Sequence, residues 1–220
     1  MTAREQLAQF AAGSKNLGAL CREYKKAGAA VHLEELVGGA LPFYASAVVA
    51  RCGGVHVFVA EDRDAAAYLL NDFYNLLDEE RVCFFPSSYK HSAANGVEDP
   101  QGVVQRTATM NALRGFAGKG YLVVCTYPEA LAERVVDAAT LQRDTIAVKL
   151  GDKISIAVLE DALADANFTR VDFVYEPGQY SVRGGIVDVF SYSESKPYRI
   201  DFFGDEVDSI RRFNISSQLS

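Results

Sequence analysis

The chain has 220 residues, 49% of them hydrophobic, with 22 basic against 29 acidic side chains and a formal net charge of −7. That length and apolar content allow one or two buried cores, at roughly 100 to 200 residues per domain, and an acidic balance without basic runs disfavours a module that binds nucleic acid mainly through phosphate contacts. No apolar run approaches the ~20 residues a membrane helix needs, and Met1 to Phe10 lacks the basic-then-apolar pattern of a signal peptide, so a cytoplasmic protein with no membrane partner is expected.

In chain order, Arg4 to Ala12 and Leu17 to Lys26 read as helices, with Ser14 available as a cap between them. Ala29 to Leu36 reads as a short strand, Pro42 to Cys52 as a helix, Val55 to Ala60 as a continuous apolar strand, and Asp64 to Leu77 as an amphipathic helix opened by Asp62 or Asp64. Val82 to Phe85 is a further strand, Gln101 to Phe116 a helix, and Tyr121 to Thr126 another buried strand. Strands that are apolar throughout and separated by helices imply a parallel sheet covered on both faces, the pattern of a nucleotide-binding α/β domain.

A second unit begins between residues 130 and 140, which divides the chain into domains 1–130 and 131–220. Glu129 to Ala138 is a helical connector, Thr145 to Leu150 a strand, and Ser155 to Asn167 a helix with Ile156, Leu159 and Leu163 on one face and Asn167 as its closing residue. Arg170 to Tyr175 is a strand, and two alternating runs, Gln179 to Phe190 and Tyr198 to Phe213, flank a polar turn region and announce paired antiparallel strands. The class of this unit is α+β, because strands follow one helix instead of alternating with several.

Cys21, Cys52, Cys83 and Cys125 show no C-x-x-C spacing, and His32, His56 and His91 are scattered, so four reduced structural thiols are expected and no metal site or His-based triad. The place to look for phosphate chemistry is the turn Val37 to Ser46. A phosphate loop needs glycine-rich backbone amides, a lysine for the β and γ groups and a Ser or Thr for magnesium. Counted from Gly38, the Gly, Lys and Ser/Thr positions hold Phe43, Tyr44 and Ala45; counted from Gly39, the last three positions of the motif hold Tyr44, Ala45 and Ser46. Neither register supplies a lysine, and Pro42 removes one amide donor.

The last 46 residues are the most specific part of the chain. They contain Arg183-Gly184-Gly185 before an apolar stretch, then Arg199 before Ile200-Asp201-Phe202-Phe203-Gly204-Asp205-Glu206. This combination resembles the UvrA-binding module shared by the excision-repair helicase UvrB and the transcription-repair coupling factors (Mfd), and the absent phosphate-loop lysine is similar to the coupling factors, whose UvrB-like domain keeps the fold without the phosphate-binding residues. Two further stretches, Phe84 to Tyr89 and Gln105 to Arg114, fit the same pattern, and Ser87 to Asp99 is too short for the tyrosine-rich damage-verification hairpin of UvrB.

The resemblance implies a degenerate UvrB-like domain followed by a UvrA-binding domain, no catalytic residues, and UvrA as the partner. It carries over Arg183, Arg199 and Phe203 as the UvrA-contacting residues. Read without it, Arg183 is a strand arginine paired across the ladder with Asp188 or Asp201, worth about 0 to 1 kcal/mol. Of Phe202 and Phe203, which alternate, one should be core; alternation puts Arg183 and Gly185 on one face with Val187, Gly184-Gly185 is read as serving backbone geometry or a bulge, and aligned strands would turn Ile200 and Phe202 toward the helix Ser155 to Asn167. The resemblance further implies that this is a fragment of a longer chain, with ATP, magnesium, RNA polymerase and DNA handled by the remaining regions. The alternative class is an ATP-dependent UvrB-like helicase or DNA-binding domain.

Overall fold

A computed structural model describes residues 2–89, 99–135, 146–194 and 196–216. The chain forms two compact units, one from Met1–Ser87 with Thr109–Glu133 and one from Ser88–Ala108 with Arg134–Ser220.

The first unit opens with α1 (Ala3–Gly13) and α2 (Lys15–Tyr24). A capping box starts α1: the Glu5 amide donates to Thr2 Oγ1 at 3.2 Å, and the Thr2 amide donates to Glu5 Oε2 at 2.7 Å. Ser14 caps α2 through the Leu17 amide at 3.1 Å. Then follow α3 (Ala40–Cys52), β1 (Gly54–Val59), α4 (Arg63–Leu76), a 3₁₀ turn, β2 (Val82–Phe85), α5 (Pro100–Gly115), which belongs to this unit only from Thr109 on, β3 (Tyr121–Thr126) and the short α6 (Pro128–Ala132). Asp62 caps α4 at 2.8 Å. The three strands are parallel in the order β1-β3-β2, with Val57 opposite Val124 and Phe84 opposite Cys125.

One face of this sheet packs Val82, Phe84, Val123 and Cys125 against Val49, Ala66 and the fully buried Phe73. The other face is open at the β1 edge, where Val55, Val57 and Val59 are 43%, 55% and 55% exposed. The expected cover on both faces is therefore missing over β1 among the described residues. Ala29 to Leu36 is also not a strand: it has no neighbouring strand to pair with, and Val31 and Leu33 are exposed.

His56 on β1 is buried, with Nε2 2.9 Å from the Gly53 carbonyl and Nδ1 3.1 Å from the Tyr24 hydroxyl. A neutral ring protonated on Nε2 donates to the first and accepts from the second. Burial holds its pKa below the usual 6.5.

The second unit contains α7 (Ile156–Asp165) and a five-stranded sheet in the order β4-β5-β6-β7-β8. Its strands are β4 (Thr169–Arg170), β5 (Gln179–Arg183), β6 (Ile186–Val189), β7 (Tyr198–Phe203) and β8 (Glu206–Arg212); β4 and β5 are parallel and the rest antiparallel. Ser155 caps α7 at 3.3 Å, and Asn167 closes it in the left-handed region at φ 61°. Leu159 and Leu163 pack on Tyr180, Val187, Val189, Ile200 and Val207.

Each of the two alternating runs turns out to be a hairpin instead of one strand. Gly184 and Gly204 adopt φ of 61° and 62°, the conformation a tight two-residue turn needs at its first central residue, and the chain reverses there. Arg183 thus pairs with Ile186, and Phe203 with Glu206. The Gly184-Gly185 pair is a turn and not a bulge, so Arg183 does not share a face with Val187, which opposes Val182 and points into the core.

Three other boundaries change. Residues 146–150 are not a strand; Ile146 and Val148 pack on the core, and pairing to the sheet comes slightly later, where the Gly151 amide donates to the Val207 carbonyl at 2.9 Å. The strand expected over Arg170 to Tyr175 shrinks to two residues, because Val171 and Val174 turn into a small cluster with Phe190 and Phe213. The connector Glu129 to Ala138 is helical only to Ala132, and its end, like residues 90–98 of the Ser87 to Asp99 link, lies outside the described residues.

Two measurements check this packing. Leu159→Ala is expected to destabilise the second unit by about 2 to 5 kcal/mol in chemical denaturation, whereas Val158→Ala, on the exposed side of α7, should change stability by less than about 0.5 kcal/mol. For His56 the unfolded ring takes up a proton near pH 6.5 and the folded ring at a lower pH, so the unfolded state binds more protons in between and stability falls as pH drops below about 6.5. Removing the titrating ring in His56→Gln should flatten the stability profile between about pH 5 and 7; an unchanged slope would assign that titration elsewhere.

Candidate partner-binding surface

Side chains of the second sheet sort by alternation onto two faces. Val182, Val187, Ile200 and Phe202 join the cluster under α7, as expected for Ile200 and Phe202. Ser181, Asp188, Arg199 and Arg211 oppose one another across β5, β6, β7 and β8 and lie on the other face, with Arg183, Asp201 and Phe203.

At the middle of that face Asp188 is 1% exposed and accepts from two arginines. Arg183 Nη2 donates to Oδ2 at 2.6 Å from β5, and Arg199 donates in a fork from β7, Nε to Oδ1 at 2.7 Å and Nη2 to Oδ2 at 2.9 Å. A carboxylate out of water requires such pairing, and the bidentate geometry is the strong form. Each guanidinium also rests on an aromatic ring, Arg183 4.8 Å from the centroid of Phe173 and Arg199 4.5 Å from that of Phe213. The Asp188 hydrogen bonds push the Arg199 pKa up.

Next to this cluster Asp201 accepts from Ser209 and Arg211, which together hold its carboxyl below the usual range. Phe203, at the end of β7, is 84% exposed, with its neighbour Phe202 in the core. The side chains of Arg183 and Arg199 are 36% and 14% exposed. The three singled-out residues therefore share one face, with Arg183 and Arg199 joined through Asp188. Of the two carboxylates considered for Arg183, the structure selects Asp188. Phe173 and Phe213, which support the guanidiniums, carry no signal in the sequence beyond being apolar, because their role depends on the hairpin register.

A cleft of about 420 Å³ beside Arg183 is lined by Arg170, Val171, Asp172, Phe173 and Val182. Phe173 and Tyr175 along this edge are 46% and 57% exposed, so the aromatic surface continues past the sheet.

The Val37 to Ser46 turn has a different geometry. Helix α3 already begins at Ala40; the Ala40 amide donates to the Val37 carbonyl and the Phe43 amide to the Gly39 carbonyl, both at 3.2 Å. Phe43 and Tyr44 stack against Phe10, with centroids 5.1 and 4.9 Å apart, Ala45 packs against the core, and Ser46 is fully buried. The strand expected to lead into this turn is absent. Among the described residues no group of three or more His, Cys, Asp or Glu side chains is placed to hold a metal ion. All four cysteines are free thiols; burial and the neighbouring Cys21 push Cys52 up to about 11, and burial pushes Cys125 to about 12. No helix among the described residues is long and apolar enough to cross a membrane.

The fold is of the α/β class, and residues 146–220, within the second unit, match the family model of the UvrB interaction domain. The chain is similar to transcription-repair-coupling factors and to UvrABC system protein B. It is 29% identical over 189 residues, 86% of its length, to the transcription-repair-coupling factor of Bacillus subtilis, and 29% identical over 194 residues, 88% of its length, to that of Escherichia coli. The UvrABC system protein B of Nitratidesulfovibrio vulgaris is 27% identical over 195 residues, 80% of this chain and 27% of its own length. The chain spans 16% of the length of the two coupling factors.

Proposed function

We propose that this chain is the UvrA-docking portion of a transcription-repair coupling factor, a non-catalytic module that brings UvrA, and with it nucleotide excision repair, to RNA polymerase stalled at a DNA lesion. The observation that carries the reading is the face holding Arg183, Arg199 and the solvent-exposed Phe203 opposite the helix-covered side of the sheet. Arginine and aromatic residues at the centre of a patch are the composition of an interface hot spot, since a guanidinium binds carboxylates in a fork and the ring supplies desolvated area. In this reading RNA polymerase, DNA, ATP and magnesium belong to other regions of a longer parent protein working in the cytoplasm, and the chain divides into a degenerate UvrB-like domain 1–130 and a UvrA-binding domain 131–220, although the compact units group residues 88–108 with the second. The alternative, an ATP-dependent helicase or DNA-binding domain, would need free loop amides and a lysine at the start of α3. The Ala40 and Phe43 amides instead donate to the Val37 and Gly39 carbonyls, neither register supplies a lysine, and Phe43 and Tyr44 pack their rings against Phe10.

Truncation of a central hot-spot residue typically costs about 2 kcal/mol, roughly 30-fold in affinity. Phe203→Ala is the cleanest case, because the ring is exposed and its loss leaves the core intact; UvrA should bind this variant about 30-fold more weakly, and Arg183→Ala and Arg199→Ala should weaken binding to a comparable degree. Asp208→Ala, at an exposed carboxylate, should bind like the parent. Folded variants of all three residues that bind UvrA normally would move the interface elsewhere. MgATP titrated into the chain should give no saturable heat in the micromolar range, and a micromolar binding isotherm would overturn the non-catalytic reading.

A further inference from the structure

Asp188 is the most enclosed charged side chain of the second sheet among the described residues. A well-packed apolar residue in the same place generally serves stability as well as a buried ion pair or better. The neighbouring polar group does not use it either: Ser181, its cross-strand partner, donates its hydroxyl to the Asp172 carbonyl at 2.8 Å. Both carboxylate oxygens are given to guanidiniums, one bond from Arg183 and two from Arg199. Without Asp188 the two cations, on strands either side of β6, would repel one another and separate.

Resting on the docking reading above, we infer that Asp188 is a positioning residue of the surface: it holds Arg183 and Arg199 together as one recognition unit without touching the partner. The division of its bonds is unequal. Arg199 is held by a fork and by the Phe213 ring and is 14% exposed, whereas Arg183 is held through Nη2 alone, lies over the half-exposed Phe173 and is 36% exposed. Arg199 is thus the fixed member and Arg183 the one that offers its remaining donors to a carboxylate of the partner. The pair plus Asp188 keeps one net positive charge, which suits a carboxylate-bearing surface on UvrA.

The test measures UvrA affinity and stoichiometry by calorimetry for the parent, Asp188→Asn, Asp188→Glu, and Asp188→Asn combined with Arg183→Ala and Arg199→Ala, with near-ultraviolet circular dichroism to follow folding. A purely structural role lowers the active fraction, seen in the stoichiometry, and leaves Kd unchanged. Positioning predicts a Kd at least 10-fold weaker for Asp188→Asn, partial recovery for Asp188→Glu, and no further loss when Asp188→Asn is added to the arginine-less background. If Asp188→Asn does not fold, Asp188→Glu alone decides, with a loss of at least 3-fold expected and parent-like affinity overturning the inference. Parent-like affinity of folded Asp188→Asn, or an equal loss with and without the arginines, also overturns it. Should Phe203→Ala and Arg199→Ala bind UvrA normally, the docking reading and this inference fall together; should those two weaken binding while Asp188→Asn does not, only this inference fails.

Discussion

The charge on Asp188 is the constraint around which the second unit is arranged. A carboxylate at 1% exposure must be compensated on the spot, and Arg183 and Arg199 on the two flanking strands do so. That requirement ties β5, β6 and β7 into one register, because Arg183, Asp188 and Arg199 meet only when Ser181 opposes Asp188 and Asp188 opposes Arg199. A slip of one residue would turn the arginines toward α7 and place Val187 and Ile200 in water, so the apolar and the charged face of the sheet enforce the same alignment. Hydrophobic burial under α7 supplies most of the stability, and the buried charge adds a penalty against every other pairing.

The two glycine turns make this alignment possible. In one uninterrupted strand Arg183 and Asp188 would lie about 17 Å apart and on opposite faces. Here Gly184 at positive φ folds the chain back within two residues, so residues five apart in sequence become donor and acceptor. The second turn at Gly204 does the equivalent for Asp201, which meets Ser209 and Arg211 on β8, and it leaves Phe203 at the tip of a hairpin, where no neighbouring element covers it. Exposure of a phenylalanine at such a tip costs solvation that a partner can recover on binding.

Local signals explain what the sequence made legible. Buried parallel strands announce themselves as unbroken apolar runs, as in Tyr121–Thr126, and caps such as Ser14, Asp62 and Ser155 mark helix starts because each chemistry acts within four residues. Alternation likewise separates Phe202 from Phe203. The Gly184-Gly185 pair fits backbone geometry or a bulge in the sequence and is a turn in the fold, since a bulge and a turn share a preference for glycine and differ only in whether the chain then pairs with itself. The apolar stretch Ala29 to Leu36 shows the converse: alternation can be present with no strand to pair with, and then it has no structural consequence. The aromatic rings beneath the arginines were illegible because Phe173 and Phe213 lie 10 and 14 residues from Arg183 and Arg199, a separation that no local pattern encodes.

In the first unit the start of α3 shows how a phosphate site differs from a glycine pair. Gly38 and Gly39 provide the backbone freedom that such a site uses, yet freedom alone does not leave amides available. Because the helix starts at Ala40, two of the donors there, the Ala40 and Phe43 amides, are already given to the Val37 and Gly39 carbonyls, and Pro42 falls in the first turn, where its missing donor costs the helix nothing. Phe43 and Tyr44 then extend the apolar surface onto Phe10 of α1, so the residues in the place of the lysine contribute packing between two helices. Restoring a lysine at Tyr44 would remove one of those aromatic contacts and place a cation near a helix N-terminus, where the backbone dipole opposes it. Tyr44, where a phosphate loop would need its lysine, thus serves the contact between α1 and α3.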